Sequence, residues 1–195
     1  MTRAANPELP EKIMQKAEDI ITTRGHEALN MRSLARDTGV TATTIYHYFE
    51  NKEDLLHQLR LRFAERLNAS IRQIEDDPDP SRVLTNLGWR YIEFAERYPK
   101  IYRFLFETTL IKSELTLKDT SVFYYTYYVA RSALERIKKA EKLYIDPAHG
   151  ALMGWTMLHG FCSLLLAGTL QPAEQIDNKQ LKQIFMSYYA HNHSD

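Results

Sequence analysis

Residues Asn30–Lys52 read NMRSLARDTGVTATTIYHYFENK, and this stretch decides the fold. Asn30 is a good N-cap for a short helix that carries Met31, Leu34 and Ala35 on one face. Gly39 stops that helix, because glycine takes the left-handed C′ conformation without steric cost. Thr41 caps the next helix, expected to run through Ile45 and Tyr46 to about Tyr48, with Ile45 and Phe49 on its inner side. Two short helices about three residues apart with a central glycine make a helix-turn-helix pattern. The face left over is Ala42, Thr43, Thr44, Tyr46, His47 and Tyr48. These are small or hydrogen-bonding groups of the kind that reach base edges and phosphate oxygens.

Around this stretch the chain has the composition of an ordinary soluble domain, with 44% hydrophobic and 26% charged residues in 195. Seven glycines and seven prolines favour helix over a many-turned β fold. Net charge is zero, and residues 1–57 hold 7 Lys+Arg against 9 Asp+Glu, a balance of −2. That counts against a long unspecific polycation mode and leaves room for a few well-placed cations and neutral donors. The single Cys162 excludes an internal disulfide framework and suits a reducing compartment. MTRAANPELPEK has no apolar h-region, and the apolar run Phe161–Leu170 is far shorter than the roughly 20 residues that span a bilayer. The expectation is a cytoplasmic protein without a membrane segment.

In order, residues 1–9 are expected to be a loose arm, in which Arg3 could touch a phosphate. A helix from Pro10 or Glu11 to Gly25 carries the stripe Ile13, Met14, Ala17, Ile20 and Ile21. Asn51 caps a long helix from Lys52 to about Ile74, with Leu55, Leu56, Leu59, Phe63 and Leu67 on one face. EDDPDP (Glu75–Pro80) is the one clear break. Helices are then expected from Ser81 to before Pro99, over 101–106, from Asp119 to Lys142, from Pro147 to about Leu170, and from Asn178 to about Ala190. Pro172 bars continuation of the penultimate one. In the last helix Leu181, Ile184, Phe185 and Tyr188 are expected to face inward.

RSLARDTGVTATTIYHYFENKEDLL resembles the DNA-binding domain of the TetR/AcrR family of bacterial transcriptional regulators, through Leu34-Ala35, Gly39-Val40-Thr41, Thr44-Ile45-Tyr46, Tyr48-Phe49, Asn51-Lys52 and Leu55-Leu56. Trp155…His159-Gly160 resembles the Trp…His-Gly element of one C-terminal subgroup of that family. Thr43 departs from the small Gly, Pro or Ala common at its position, and Ser33 from a frequent acidic capping partner.

The resemblance implies an all-α chain of about nine helices, with a three-helix helix-turn-helix domain over 1–55 and an effector-binding and dimerisation domain over 56–195. It implies that Ala42, Thr43, Tyr46 and His47 face the major groove while Thr44, Tyr48 and Lys52 hold phosphates, with Asn30, Arg32 and Thr41 completing the DNA-binding set. Tyr46 could equally pack the small core. The implied protein is a homodimeric repressor on palindromic double-stranded DNA, released by a small apolar or aromatic effector.

The larger domain is rich in aromatic residues. Trp89, Phe104, Phe123, Tyr127, Trp155 and His159 are the candidates to line an effector pocket, against the plainer possibility that they pack a core. The helix from Pro147 is apolar on nearly every side, with Gly150, Gly154, Gly160 and Ser163 allowing close approach. A symmetric partner covering it together with the last helix is the economical solution, and a central position in a monomer is the other. No catalytic set, metal site or cofactor motif emerges: Cys162 lies in an apolar helix, and His191 and His193 lack further ligands at zinc spacing. Two other classes stay open, an effector-independent DNA-organising or partner-regulated protein and a helical enzyme or carrier. The Lys52–Ile74 helix is expected to couple the two domains.

Overall fold

The computed structural model describes residues 7–107, 116–140, 145–170 and 177–194. Arg3, Lys142, Pro172 and the side chains of His191 and His193 lie outside that description. Among the described residues there are ten α-helices, one short 3₁₀ turn and no strand. The helices are α1 Leu9–Arg24, α2 Met31–Thr38, α3 Ala42–Tyr46, α4 Lys52–Ile71, α5 Pro80–Arg97, α6 Pro99–Phe106, α7 Leu117–Phe123, α8 Tyr125–Lys139, α9 Pro147–Ala167 and α10 Asn178–Ser194.

The chain divides into two compact units, Met1–Ala64 with Lys100–Leu110, and Glu65–Pro99 with Ile111–Asp195. The division expected at residue 55 falls inside α4, which runs unbroken from Lys52 to Ile71 and belongs to both units. In the smaller unit Ile13, Ala17 and Ile21 of α1, Leu34 of α2, Ile45 of α3 and Leu55, Leu59 and Phe63 of α4 are fully buried. Each of the Ile, Leu and Phe side chains among them contributes about 1.5–3 kcal/mol relative to leaving it in water. Arg62 of α4 ties to Glu11 of α1 through two bonds of 2.9 and 2.5 Å, with Glu18 at 3.7 Å.

This unit also takes in α6, a segment distant in sequence. Phe104 is fully buried there, edge-on to Phe63 at 6.1 Å and 5.3 Å from the His26 ring, with the Arg60 guanidinium 4.7 Å over its face. Lys100 donates to the Thr23 carbonyl at the end of α1, where a cation suits the helix dipole.

In the larger unit α5 packs against α8, α9 and α10. Gly88 makes the α5–α10 approach possible: a Cβ there would lie 2.9 Å from Met186 Cε and 3.2 Å from Tyr189 Cε1. Met186 and Tyr189 are accordingly the buried residues of α10, while Ile184 and Tyr188 are 58% and 61% exposed. The face that turns inward is therefore rotated from the expected one, because the close approach at Gly88 selects the Met186/Tyr189 side.

Two further expectations change. α5 is capped by Asp79, whose carboxylate accepts from the Ser81 and Arg82 amides, with Pro80 at the first helical position, where its fixed φ suits a helix. Ser81 is inside the helix. The single helix expected from Asp119 is two, because the chain breaks at Tyr124 (φ −100°, ψ 13°). The buried Asn68 of α4 donates to the Val122 carbonyl at 2.9 Å, supplying a partner at that break. Thr116 and Asp119 form a full capping box at the start of α7.

Candidate nucleic-acid interface

α2 and α3 form the predicted helix-turn-helix with both caps as expected. The Asn30 side chain accepts from the amides of Arg32 at 2.9 Å and Ser33 at 3.2 Å, and the Ser33 hydroxyl donates back to the Asn30 carbonyl at 2.9 Å. That bond runs opposite to the one an acidic partner would make, so Asn30 caps the helix without the second half of a capping box. Gly39 takes φ 76°, ψ 28°, the left-handed geometry that a side chain rarely adopts. Thr41 then accepts from the Thr44 amide at 3.2 Å, and the Thr41 and Thr44 hydroxyls lie 2.9 Å apart. α3 ends at Tyr46, two residues short of the expected Tyr48.

Ile45 and Phe49 hold this turn to the core, at 0% and 2% exposure. With those two inward, Thr41, Thr43, Tyr46 and His47 are exposed and Ala42, Thr44 and Tyr48 are half-buried. Tyr46 is 49% exposed, so the core-packing alternative for its ring is not what the fold uses. Asn30 and Arg32 are exposed at the start of α2.

Asn51 and Asp54 frame the start of α4. Asp54 accepts from the Glu50 amide at 2.9 Å, and its own amide donates to Asn51 Oδ1 at 2.8 Å. Asp54 is further held by Gln58 at 3.0 Å, so this carboxylate is spent on local structure. Lys52, half-buried in the same turn, is a cation at the helix end whose dipole disfavours it.

Sequence reasoning missed one support. Lys12 of α1 donates to the Thr38 carbonyl at 3.1 Å, pinning the last turn of α2 just before Gly39. The Thr38 hydroxyl is buried and donates to the Leu34 carbonyl at 2.8 Å. Nothing in the sequence of α1 announces a contact spanning 26 positions.

The effector candidates do not stay together. Phe104 belongs to the core of the smaller unit, as described above, whereas Trp89, Phe123, Tyr127, Trp155 and His159 belong to the larger one. Phe104 is separated because α6 packs it against His26 and Phe63. The other five are each half-buried. Trp155 donates its indole N–H to the Tyr91 hydroxyl at 3.3 Å and meets the Tyr124 ring edge-on at 5.9 Å. Tyr127 stacks edge-on with Tyr128 at 5.4 Å. A cavity of about 250 Å³ in the larger unit is lined by none of the six. Among the described residues no group of three or more His, Cys, Asp or Glu could hold a metal.

Residues 13–59 match the model described as bacterial regulatory proteins, tetR family. Residues 84–183 match that described as tetracyclin repressor-like, C-terminal domain. The chain is 29% identical over 113 residues to an uncharacterized HTH-type transcriptional regulator of Haemophilus influenzae, covering 58% of this chain and 56% of that protein. It therefore spans about half the length of that relative. It is 24% identical over 197 residues to the HTH-type transcriptional regulator BetI of Vibrio campbellii, covering 96% and 94% of the two chains. The crystal structure of the TetR family transcriptional regulator PfmR from Thermus thermophilus shares the fold, with a TM-score of 0.66, 20% identity and coverage of 92% and 97%. With its helix-turn-helix and its C-terminal half both matched, the chain belongs to the TetR family of bacterial regulatory proteins.

Proposed function

We propose that this chain is a sequence-specific DNA-binding transcriptional regulator acting as a repressor, with α3 as its recognition helix. The observation that carries this is the split of the α3 turn: Ile45 and Phe49 are sealed in the core while Thr43, Tyr46 and His47 are left exposed on a short helix capped at Thr41. Such a helix presents hydroxyl, phenol and imidazole groups on a rigid base, the arrangement that reads base edges. Ala42, Thr43, Tyr46 and His47 take the groove; Asn30, Arg32, Thr41, Thr44, Tyr48 and Lys52 take phosphates or the groove's rim. The relatives are regulators rather than enzymes. The protein works in the cytoplasm, where its DNA is.

The active form is a homodimer through α9 and α10, on a palindromic operator with half-sites about one helical turn apart. Leu152, Met153 and Leu164 of α9 and Ile184 and Tyr188 of α10 are all large and about half or more exposed. A Cβ at Gly160 would meet nothing within 4 Å, so packing within one chain does not require a glycine there. A small apolar or aromatic effector in the larger unit releases the DNA; the half-buried Trp89, Phe123, Tyr127, Trp155 and His159 support such a wall. α4 carries the coupling, being one unbroken helix shared by both units.

A mobility-shift titration on DNA flanking the protein's own gene tests the function. Retardation that survives excess unrelated DNA is expected, and equal affinity for both DNAs overturns it.

A further inference from the structure

The cavity of about 250 Å³ described above is a groove between the turn that follows α4 and one side of α8. Glu75, Asp76 and Arg136 line it together with Tyr125, Tyr128 and Ser132, and Val129 and Ala133, 7% and 2% exposed, form a buried apolar floor. The Tyr125 hydroxyl donates to Glu75 Oε2 at 2.6 Å. Burial, reinforced by that carboxylate, pushes the phenol up to about 12, so the ring stays neutral.

Charge around the groove is unbalanced once its pairs are assigned. Of the residues that line it, Glu75 and Asp76 are carboxylates against the guanidinium of Arg136, a difference of −1, with Arg72 beside Tyr125 and Arg82 beside Asp77. All three guanidinium groups are engaged: Arg72 with Glu65 at 2.5 Å, Arg82 with Asp77 at 2.9 Å, and Arg136 with the carbonyls of Asp77 at 2.9 Å and Pro78 at 2.7 Å. Arg72 also lies 5.2 Å over the Tyr125 ring, so the aromatic wall already holds one cation. Tyr128 is 43% exposed and offers a second ring to a ligand.

We propose that this groove binds a small organic monocation with an apolar or aryl body. Its ammonium meets Glu75 and Asp76, its carbon body lies on Val129 and Ala133, and Tyr128 faces the charge. Carboxylates supply direction, and tyrosine rings attract a cation through their quadrupoles. A neutral ligand of the same shape gains the apolar contact alone, and an anion meets the net negative field. None of the six effector candidates lines this groove, and the assignment holds whether or not its occupant alters DNA affinity.

Calorimetry on the full chain with 2-phenylethylamine, 2-phenylethanol and phenylacetate at neutral pH tests it. The amine is expected to bind saturably and about tenfold tighter than the alcohol, with the acid weaker still. Asp76→Asn, at an exposed carboxylate, is expected to weaken the amine about three- to fivefold and leave the alcohol unchanged. Ser132→Trp, which fills the groove from α8, is expected to abolish binding of both. Thermal melts of each variant accompany the titrations, and Glu75→Gln serves as a second charge variant. Equal affinity for amine and alcohol, or amine binding unchanged in both Asp76→Asn and Glu75→Gln, overturns the proposal. So does the absence of saturable amine binding by the wild-type protein.

Discussion

The hydroxyls of Thr41 and Thr44 lie 2.9 Å apart across the first turn of α3, and Thr41 also accepts the Thr44 amide at 3.2 Å. One threonine therefore caps α3 and orients the hydroxyl of the other. When the Thr41 proton goes to the Thr44 oxygen, the Thr44 proton is left to donate to a phosphate. On the proposed interface, one hydroxyl chain then serves both the cap and a phosphate.

Thr41→Ala is expected to cost about 1 kcal/mol of stability, the usual loss of a threonine cap. Thr41→Ser keeps the cap oxygen and should recover most of it. Urea unfolding of the three proteins reads the difference. A Thr41→Ala protein as stable as wild type contradicts the capping role.

Lys52 sits where its own helix dipole disfavours it, so removing its charge should not destabilise α4. Lys52→Ala is expected to weaken binding to all DNA sequences alike and to lower the salt slope by about one unit. Isotherms over a salt series check this. An unchanged slope removes Lys52 from the phosphate contacts.

The Arg62 hydrogen bonds hold the Glu11 carboxyl below its ordinary value of 4.5. Its contribution is therefore complete above that value and is lost as pH falls through the depressed one. Both side chains are partly exposed, at 62% for Glu11 and 30% for Arg62, so solvent screens the pair and the effect is small. Wild type should exceed Glu11→Gln in urea midpoint at neutral pH, and the gap should close below the ordinary carboxylate range. A gap that widens on acidification contradicts the pairing.

The exposed Leu152 and Met153 of α9 and Ile184 and Tyr188 of α10 supply the proposed dimer face. Ile184→Glu should shift the protein toward monomer in sedimentation while leaving its helical circular dichroism unchanged, because the residue is 58% exposed in one chain. A wild-type protein that sediments as a monomer at micromolar concentration contradicts the interface outright.

Much of the small unit was legible because its signals are local. Asn30, Gly39 and Thr41 act within four residues of themselves, and their caps formed as their chemistry demanded. Fold class followed from helix periodicity, and the family match agrees with it. What escaped is non-local. Phe104 looked like one more aromatic of the larger domain, yet α6 delivers it to His26 and Phe63, 78 and 41 positions away along the chain. Ile184 and Tyr188 share one face of α10, and apolar periodicity alone does not say whether a core or a partner covers it. Gly88 decides, by admitting Met186 and Tyr189 instead. The break at Tyr124 was equally invisible, because the carbonyl at Val122 is answered by Asn68, 54 positions earlier. The exposure of Thr43, Tyr46 and His47 was legible because the Thr41 cap is local and the spacing of Ile45 and Phe49 marks the face that sinks into the core.

Selection from random double-stranded DNA by the wild-type protein, beside Tyr46→Ala, tests α3 as the recognition helix most directly. The wild type should enrich a palindrome with half-sites about one helical turn apart. Tyr46→Ala, at an exposed and non-core position, should relax the preference at a symmetric pair of bases while melting at the wild-type temperature. Recovery of unenriched sequence by the wild type, or of the identical palindrome with undiminished preference by Tyr46→Ala, contradicts the assignment of α3 and its Tyr46 to base readout.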